Sequence, residues 1–137
     1  MLKIIEKAML LQEMDVLRFV SADHLIQLAE LCQEQAYKEG AIIAQHEDAP
    51  STIYLLTCGR AASESKNGFV YENAPLNLNC SLAGLPFTDS CICLEDCTVL
   101  AIAAADLKDL LAGDPELCLD LLKYFAAKQM DDFDRVT

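Results

Sequence analysis

The sequence predicts a mainly β domain, a sandwich or barrel, with α-helices before and after it. Short β-rich runs separated by turn signals occupy the middle of the chain, residues 35–103. Apolar residues at helical spacing mark the two flanks, 2–32 and 104–130. A length of 137 residues with 53% hydrophobic composition suits one domain with a sizeable core. The expected layout is a single domain over 1–137, with N-terminal helices at 1–33, the β-barrel at 34–103 and C-terminal helices at 104–130.

Leu2, Ile5, Met9 and Leu10 share a face at helical spacing and predict a helix over 2–13. Val16, Leu17, Phe19 and Val20 form a short apolar connector. Ser21 is placed to cap a second helix, Ala22 to Cys32, with Leu25, Leu28, Ala29 and Cys32 inward. Glu39-Gly40, between Gln35–Lys38 and Ala41–Ala44, reads as a two-residue hairpin. His46 to Ser51 is a polar turn, Thr52 to Thr57 a strand, and Gly59 punctuates the chain before a second run from Arg60 to Ser65. Lys66-Asn67-Gly68 carries an Asn-Gly hairpin signal ahead of a strand at Phe69-Val70-Tyr71. A small-residue turn, Ala83-Gly84-Leu85-Pro86, follows, and Ser90–Leu94 and Thr98–Ala103 are two more strands separated by Glu95-Asp96.

Ala104 to Ala112 forms a helix stopped by Gly113. Asp114-Pro115-Glu116 supplies a capping acid, Pro at the first helical position and an acid in the first turn, so a further helix runs to about Met130, with 131–134 a polar tail. The apolar residues from Leu117 to Ala126 cover more than one stripe. Either they pack on the barrel and the N-terminal helix, or part of them meets another subunit or domain.

Twenty-two acidic against 10 basic residues give a formal net charge of −12, which repels nucleic-acid backbones and anionic membrane surfaces alike. The N-terminal segment interleaves Lys3, Glu6, Lys7 and Glu13 with its apolar residues, unlike a signal peptide or a membrane span. Seven cysteines, none in a Cys-x-x-Cys pair, with no export signal, predict free thiols in the cytoplasm. Cys91, Cys93 and Cys97, with Cys80, are the candidates for a metal or redox cluster; burial in the core is the favoured reading. His24 and His46 are far apart and read as solvated, too few for a metal enzyme of the cupin type. No nucleophile elbow, phosphate loop or paired-carboxylate motif is present, so no catalytic residue, metal or cofactor is assigned. Gly40, Gly59 and Gly68 are read as turn residues and Arg60 as a surface ion pair.

Residues 38–60, KEGAIIAQHEDAPSTIYLLTCGR, resemble the first signature of cyclic-nucleotide-binding domains of the catabolite-activator and kinase-regulatory-subunit type. Gly40, Ile43, Asp48, Tyr54, Gly59 and Arg60 fall at or near the expected places, while Glu47 stands where that family has a glycine. LEDCTVLAIAAADLKDLL, followed by DPEL, is similar to the family's closing strands and helices. The resemblance runs from about Leu10 to Ala127 and implies a jelly-roll-like β-barrel of about eight strands with a regulatory, non-enzymatic role. In nucleotide-binding members, a cassette resembling F-G-E-x-A-L…P-R-x-A presents helix N–H groups, a Glu for the ribose hydroxyl and an Arg for the cyclic phosphate. With Pro86 aligned, the Arg place falls on Phe87 or Thr88, and the Glu place near Leu78 or Asn79. No Lys, Arg or His occurs between Lys66 and Lys108. Asn79, Ser81, Gly84, Thr88 and Ser90 remain as the candidate ligand cradle, with Asp89, Glu95 and Asp96 adding repulsion nearby. Removing the charged partner of a desolvated phosphate costs about 2–5 kcal/mol, about thirty-fold or more in affinity.

The function expected is therefore a regulatory or interaction module whose cyclic-nucleotide binding is lost or weak. Such a module acts on an attached or associated effector, as a domain of a larger protein or a stand-alone accessory subunit. The hinge between barrel and last helix would be its movable part, answering a neutral small ligand or a protein partner; homodimerisation through the C-terminal helix fits the same layout. One alternative is a genuine receptor with a rearranged cassette, its cation supplied by Arg60, Lys66 or a partner chain. The other is a metal or redox sensor built on Cys80, Cys91, Cys93 and Cys97.

Overall fold

A computed structural model of the chain describes residues 1–65 and 68–136, with side chains through 132. Lys66 and Asn67, and with them the Asn-Gly turn signal, lie outside the described residues. The front of the chain holds α1 (Ile4–Gln12), a 3-10 turn (Asp15–Leu17) and α2 (Ala22–Leu31). The middle holds β1 (Gln33–Tyr37), β2 (Ile42–Ala44), β3 (Thr52–Ser63), β4 (Val70–Pro75), α3 (Leu78–Ala83), β5 (Cys91–Cys93) and β6 (Cys97–Ala103). Helices α4 (Ala104–Gly113) and α5 (Pro115–Val136) follow. The strands form one antiparallel sheet in the order β1-β6-β3-β5-β2, with β4 also paired to β3, curled into a half-barrel. The mainly β, jelly-roll-like class with flanking helices predicted by the sequence is the class observed.

Strand β3 organises the sheet. The two runs read as separate strands, 52–57 and 60–65, are one bent strand, so the sheet has six strands where the resemblance implied about eight. Its first half pairs with β6 and its second with β5, and the register slips between Leu56 and Cys58 on one edge and between Leu56 and Arg60 on the other. Gly59 sits in that irregularity at φ +91°, and a Cβ there would lie 2.6 Å from the Asp96 carbonyl oxygen and 2.8 Å from Cys97 Sγ. Gly59 is thus a point of close approach inside a strand, where the sequence suggested a turn between strands. The hairpin expected at Glu39-Gly40 is also corrected: the chain turns at Gly40 (φ +86°), but β1 pairs with β6 and β2 with β5. β6 offers β1 a five-residue register, and that longer pairing overrides the local turn signal.

Alternation along β6 separates two cores. Leu100 and Ile102 face the helices with Leu11, Met14, Ile53 and Leu117, while Cys97 and Val99 face the inside of the curl with Leu56, Ala61, Cys91 and Cys93. On α2, Leu25, Leu28 and Ala29 are buried as expected, and so is Cys32 just beyond it. On α1, the buried residues are Ala8 and Leu11, whereas Ile5 and Met9 are 57% and 61% exposed. Two apolar stripes run along this helix, and periodicity marks the one the protein leaves open. The tail expected at 131–134 is helical, because nothing breaks the helix after Pro115 and a polar turn needs no burial.

Glu47, at the place of the family's glycine, has φ +74°. Its N–H donates to the Phe87 carbonyl at 2.9 Å and the Phe87 N–H donates to the Asp48 carbonyl at 3.0 Å, which pins the strained turn to the loop before β5. A left-handed L-residue costs about 1–2 kcal/mol, partly offset on replacement by the flexibility of an unfolded glycine. Glu47→Gly is therefore expected to raise unfolding free energy by about 0.5–1 kcal/mol in urea titrations. A loss of stability would mean that the Glu side chain holds the turn.

Candidate functional site

The site begins at Asn77, just before α3. Its Oδ1 accepts from the Tyr54 N–H at 3.0 Å, and its Nδ2 donates to the Thr52 carbonyl at 2.7 Å and to Ser81 Oγ at 3.1 Å. These bonds dock one face of α3 on β3, with Leu78 buried beside them. Gly84 ends the helix at φ +73°. Sequence reading finds only this closing turn; a six-residue helix is too short to show a periodicity.

The other face of α3 lines a groove of about 630 Å³. Residues 69–75 along β4 supply one wall, Thr88 and Asp89 another, and Tyr124, Phe125 and Lys128 of α5 a third. Of the candidate cradle, Asn79 and Thr88 line this groove. Ser81 and Ser90 are buried, Ser81 against Asn77 and Ser90 accepting from the His46 N–H at 2.8 Å, so both build the frame. Cys80 lines the groove with Asn79, its Sγ 3.9 Å from Thr88 Oγ1. Phe87, one of the two residues at the Arg place, is 3% exposed and meets Tyr54 edge to face at 6.4 Å between centroids.

Asp89 is the site residue whose part the sequence does not reveal. Its carboxylate accepts from Ser63 Oγ, from Ser65 Oγ at 2.8 Å, and from the N–H groups of Ser65 and Ser90 at 3.1 and 2.9 Å. Burial pushes its pKa up, but these hydrogen bonds outweigh burial and hold it below the ordinary carboxylate value, so it is ionised at neutral pH. Among the described residues, only neutral groups donate to it. The serines stand two dozen residues upstream, and no local pattern joins them to Asp89.

Among the described residues, Lys128 is the one cation on the groove wall. Arg60, a candidate cation from the sequence, forms an ion pair with Glu95 at 3.2 Å and is not part of the wall. Lys66 lies outside the described residues. Against Lys128 stand three acids, Asp15, Glu72 and Asp89.

Helix α5 is fixed at its start. Asp114 Oδ1 accepts from the Leu117 N–H at 3.2 Å, and His24 Nε2 lies 2.7 Å from Asp114 Oδ2. The Leu117 hydrogen bond, opposed by burial and aided by His24, holds the Asp114 carboxyl below its ordinary pKa. The expectation that His24 is solvated is corrected: it is 8% exposed, because the face carrying Leu25 and Leu28 turns it inward. Its Nδ1 lies 3.1 Å from Ser21 Oγ, so the helix-capping serine and the start of α5 hold both ring nitrogens. Glu116 and Asp120 approach His24, but those nitrogens are already engaged and Asp120 pairs with Lys123 at 3.5 Å. His46 is exposed in its turn.

Cys91, Cys93 and Cys97 pack in the core inside the curl, and Cys80 is not part of that cluster. Burial, with a hydrogen bond donated by the Cys93 thiol to Cys97, pushes Cys93 up to about 12, far from the thiolate that metal binding or redox exchange needs.

A curled antiparallel half-barrel with a short helix after β4 and a long last helix along the groove is the fold of cyclic-nucleotide-binding domains. The chain is similar to a regulatory protein of Silicibacter pomeroyi assigned to cAMP binding, at 16% identity over 95% of this chain and 63% of that one, with a TM-score of 0.77. It is similar to the N-terminal domain of a transcriptional regulator from Streptomyces coelicolor at 19% identity over 92% and 93% of the two chains, with a TM-score of 0.72. The regulatory domain of Toxoplasma gondii PKA, with cAMP, aligns at 16% identity over 89% of this chain and 49% of that one, with a TM-score of 0.72. The chain thus spans less than two thirds of the Silicibacter protein's length. No family model and no curated protein matches the chain.

Proposed function

We propose that this domain is a non-enzymatic regulatory or interaction module in which cyclic-nucleotide binding is lost or weak. The observation that carries this reading is the charge of the groove wall: Asp15, Glu72 and Asp89 against Lys128 alone among the described residues. A phosphate needs charge-assisted donors, and here the hydroxyl and N–H donors of Ser63, Ser65 and Ser90 are taken by the protein's own carboxylate. The degenerate cassette consists of Phe87 as a packing residue with Asn79 and Thr88 on the open side. Ser81, Gly84 and Ser90 hold its shape.

The effector is attached or associated, and α5 is the element that reaches it. Leu117 and Leu121 bind α5 to the core while Leu119 and Leu122 are 54% and 57% exposed, so the outer stripe supports contact with an effector or with a second copy of the chain. Among the described residues, no helix is long and apolar enough to cross a membrane. Seven cysteines without a disulfide among the described residues suit the cytoplasm.

Isothermal titration calorimetry with cAMP and with cGMP is expected to give no saturable binding at low-micromolar concentrations. Binding at micromolar affinity or tighter overturns the proposal. Lys128 favours a second reading, a receptor with a rearranged cassette, and under that reading Lys128→Ala abolishes such binding.

A further inference from the structure

The groove carries the recognition chemistry of a ligand opposite in charge to a nucleotide. Two aromatic pairs line it: Phe69 with Tyr71 at 5.0 Å and Tyr124 with Phe125 at 5.4 Å, both edge to face. Aromatic faces are negative and attract cations; the Arg18 guanidinium already lies 5.5 Å from the Tyr124 ring centre. Asp15 is compensated by Arg18 at 3.3 Å. Among the described residues, only hydroxyl and N–H groups donate to Asp89, and none of them is a cation. Glu72, also on the wall, stands opposite Arg60 in the β3–β4 register, but Arg60 is drawn to Glu95. Lys128 is exposed on a long flexible stem and can turn to water. About 630 Å³ is a volume typical of small-molecule sites.

We propose that this groove binds a small organic cation, an arylalkylamine or quaternary ammonium compound, with its positive end against the Asp89 and Glu72 carboxylates and its hydrocarbon part against the aromatic rings. The inference rests on the reading that the groove does not take a cyclic nucleotide. It adds the chemical class of the ligand that works the module: a fixed negative charge with no cation beside it among the described residues offers an ammonium a partner and rejects a phosphate.

Three probes of nearly the same shape separate charge from size: 2-phenylethylamine, 2-phenylethanol and phenylacetate, titrated calorimetrically at neutral pH and low salt beside cAMP. The amine is expected to bind about tenfold or more tightly than the alcohol, and phenylacetate is expected to give no saturable heat. Glu72→Gln and Asp89→Asn are each expected to weaken the amine about threefold or more, with circular dichroism showing both variants folded. Equal binding of amine and alcohol, binding of phenylacetate, no saturable amine binding up to about 10 mM, or folded variants that bind like the parent each overturn the inference. If the amine fails and cAMP is also silent, the inference falls and the regulatory reading stands. Tight cAMP binding overturns both.

Discussion

Gly59→Ala is expected to destabilise the domain by about 2–5 kcal/mol, read as a fall in the urea midpoint at unchanged slope. Two costs combine. An L-residue must hold φ near +91°, where the left-handed region alone costs about 1–2 kcal/mol. The new methyl must also fit 2.6 Å from the Asp96 carbonyl oxygen and 3.0 Å from Cys97 Cα, which are backbone atoms at the start of β6 and cannot swing aside. Crowding of this kind costs about 1–3 kcal/mol, and relief requires β3 and β6 to part at their slip in register. Gly113→Ala is the control: a methyl group there would have no atom within 4 Å and the φ is not positive, so that variant is expected to match or slightly exceed the parent. A Gly59→Ala protein as stable as the parent would mean that the close approach of β3 to β6 is not a constraint.

Leu117→Ala is expected to cost about 2–5 kcal/mol, because the side chain is wholly buried between the sheet and the helices. Its first effect is on α5. Amide hydrogen exchange is expected to speed up along 118–132 more than along β3, since the Asp114 and His24 contacts would hold only the start of that helix. Leu119→Ala, on the exposed stripe, is expected to change stability by about 0.5 kcal/mol or less. Similar losses for both variants would place the helix differently from the packing described above.

The class of fold was legible because its signals are local. The Ser21 cap and the Asp114-Pro115-Glu116 start act within a few residues of themselves, and both are found at an element boundary. Pairing was less legible. Gly40 makes a turn but not a hairpin, and Gly59 bends one strand instead of separating two; in both cases the partner that decides is β5 or β6, far along the chain. Of the residues read as a cradle, Asn79 and Thr88 line the groove. Ser81 and Ser90 look alike in sequence, and only their partners, Asn77 and His46, distinguish frame from lining. Asp89 illustrates the limit. A carboxylate next to a serine is commonplace, and its partners Ser63 and Ser65 come from the far end of β3 and the turn just after it.

Helix α5 runs on for several turns after its buried anchors Leu117 and Leu121. Phe125 is the last of its residues packed on the core among those whose side chains are described, and from there to Val136 the helix extends about 16 Å at 1.5 Å per residue. Its start is held by the Asp114–His24 corner and by the buried Leu117 and Leu121. A tilt of about ten degrees at Phe125 would move the helix end by about 3 Å, the length of a hydrogen bond, and would shift Lys128 on the groove wall with it, so the far end of the helix and the filling of the groove are geometrically linked.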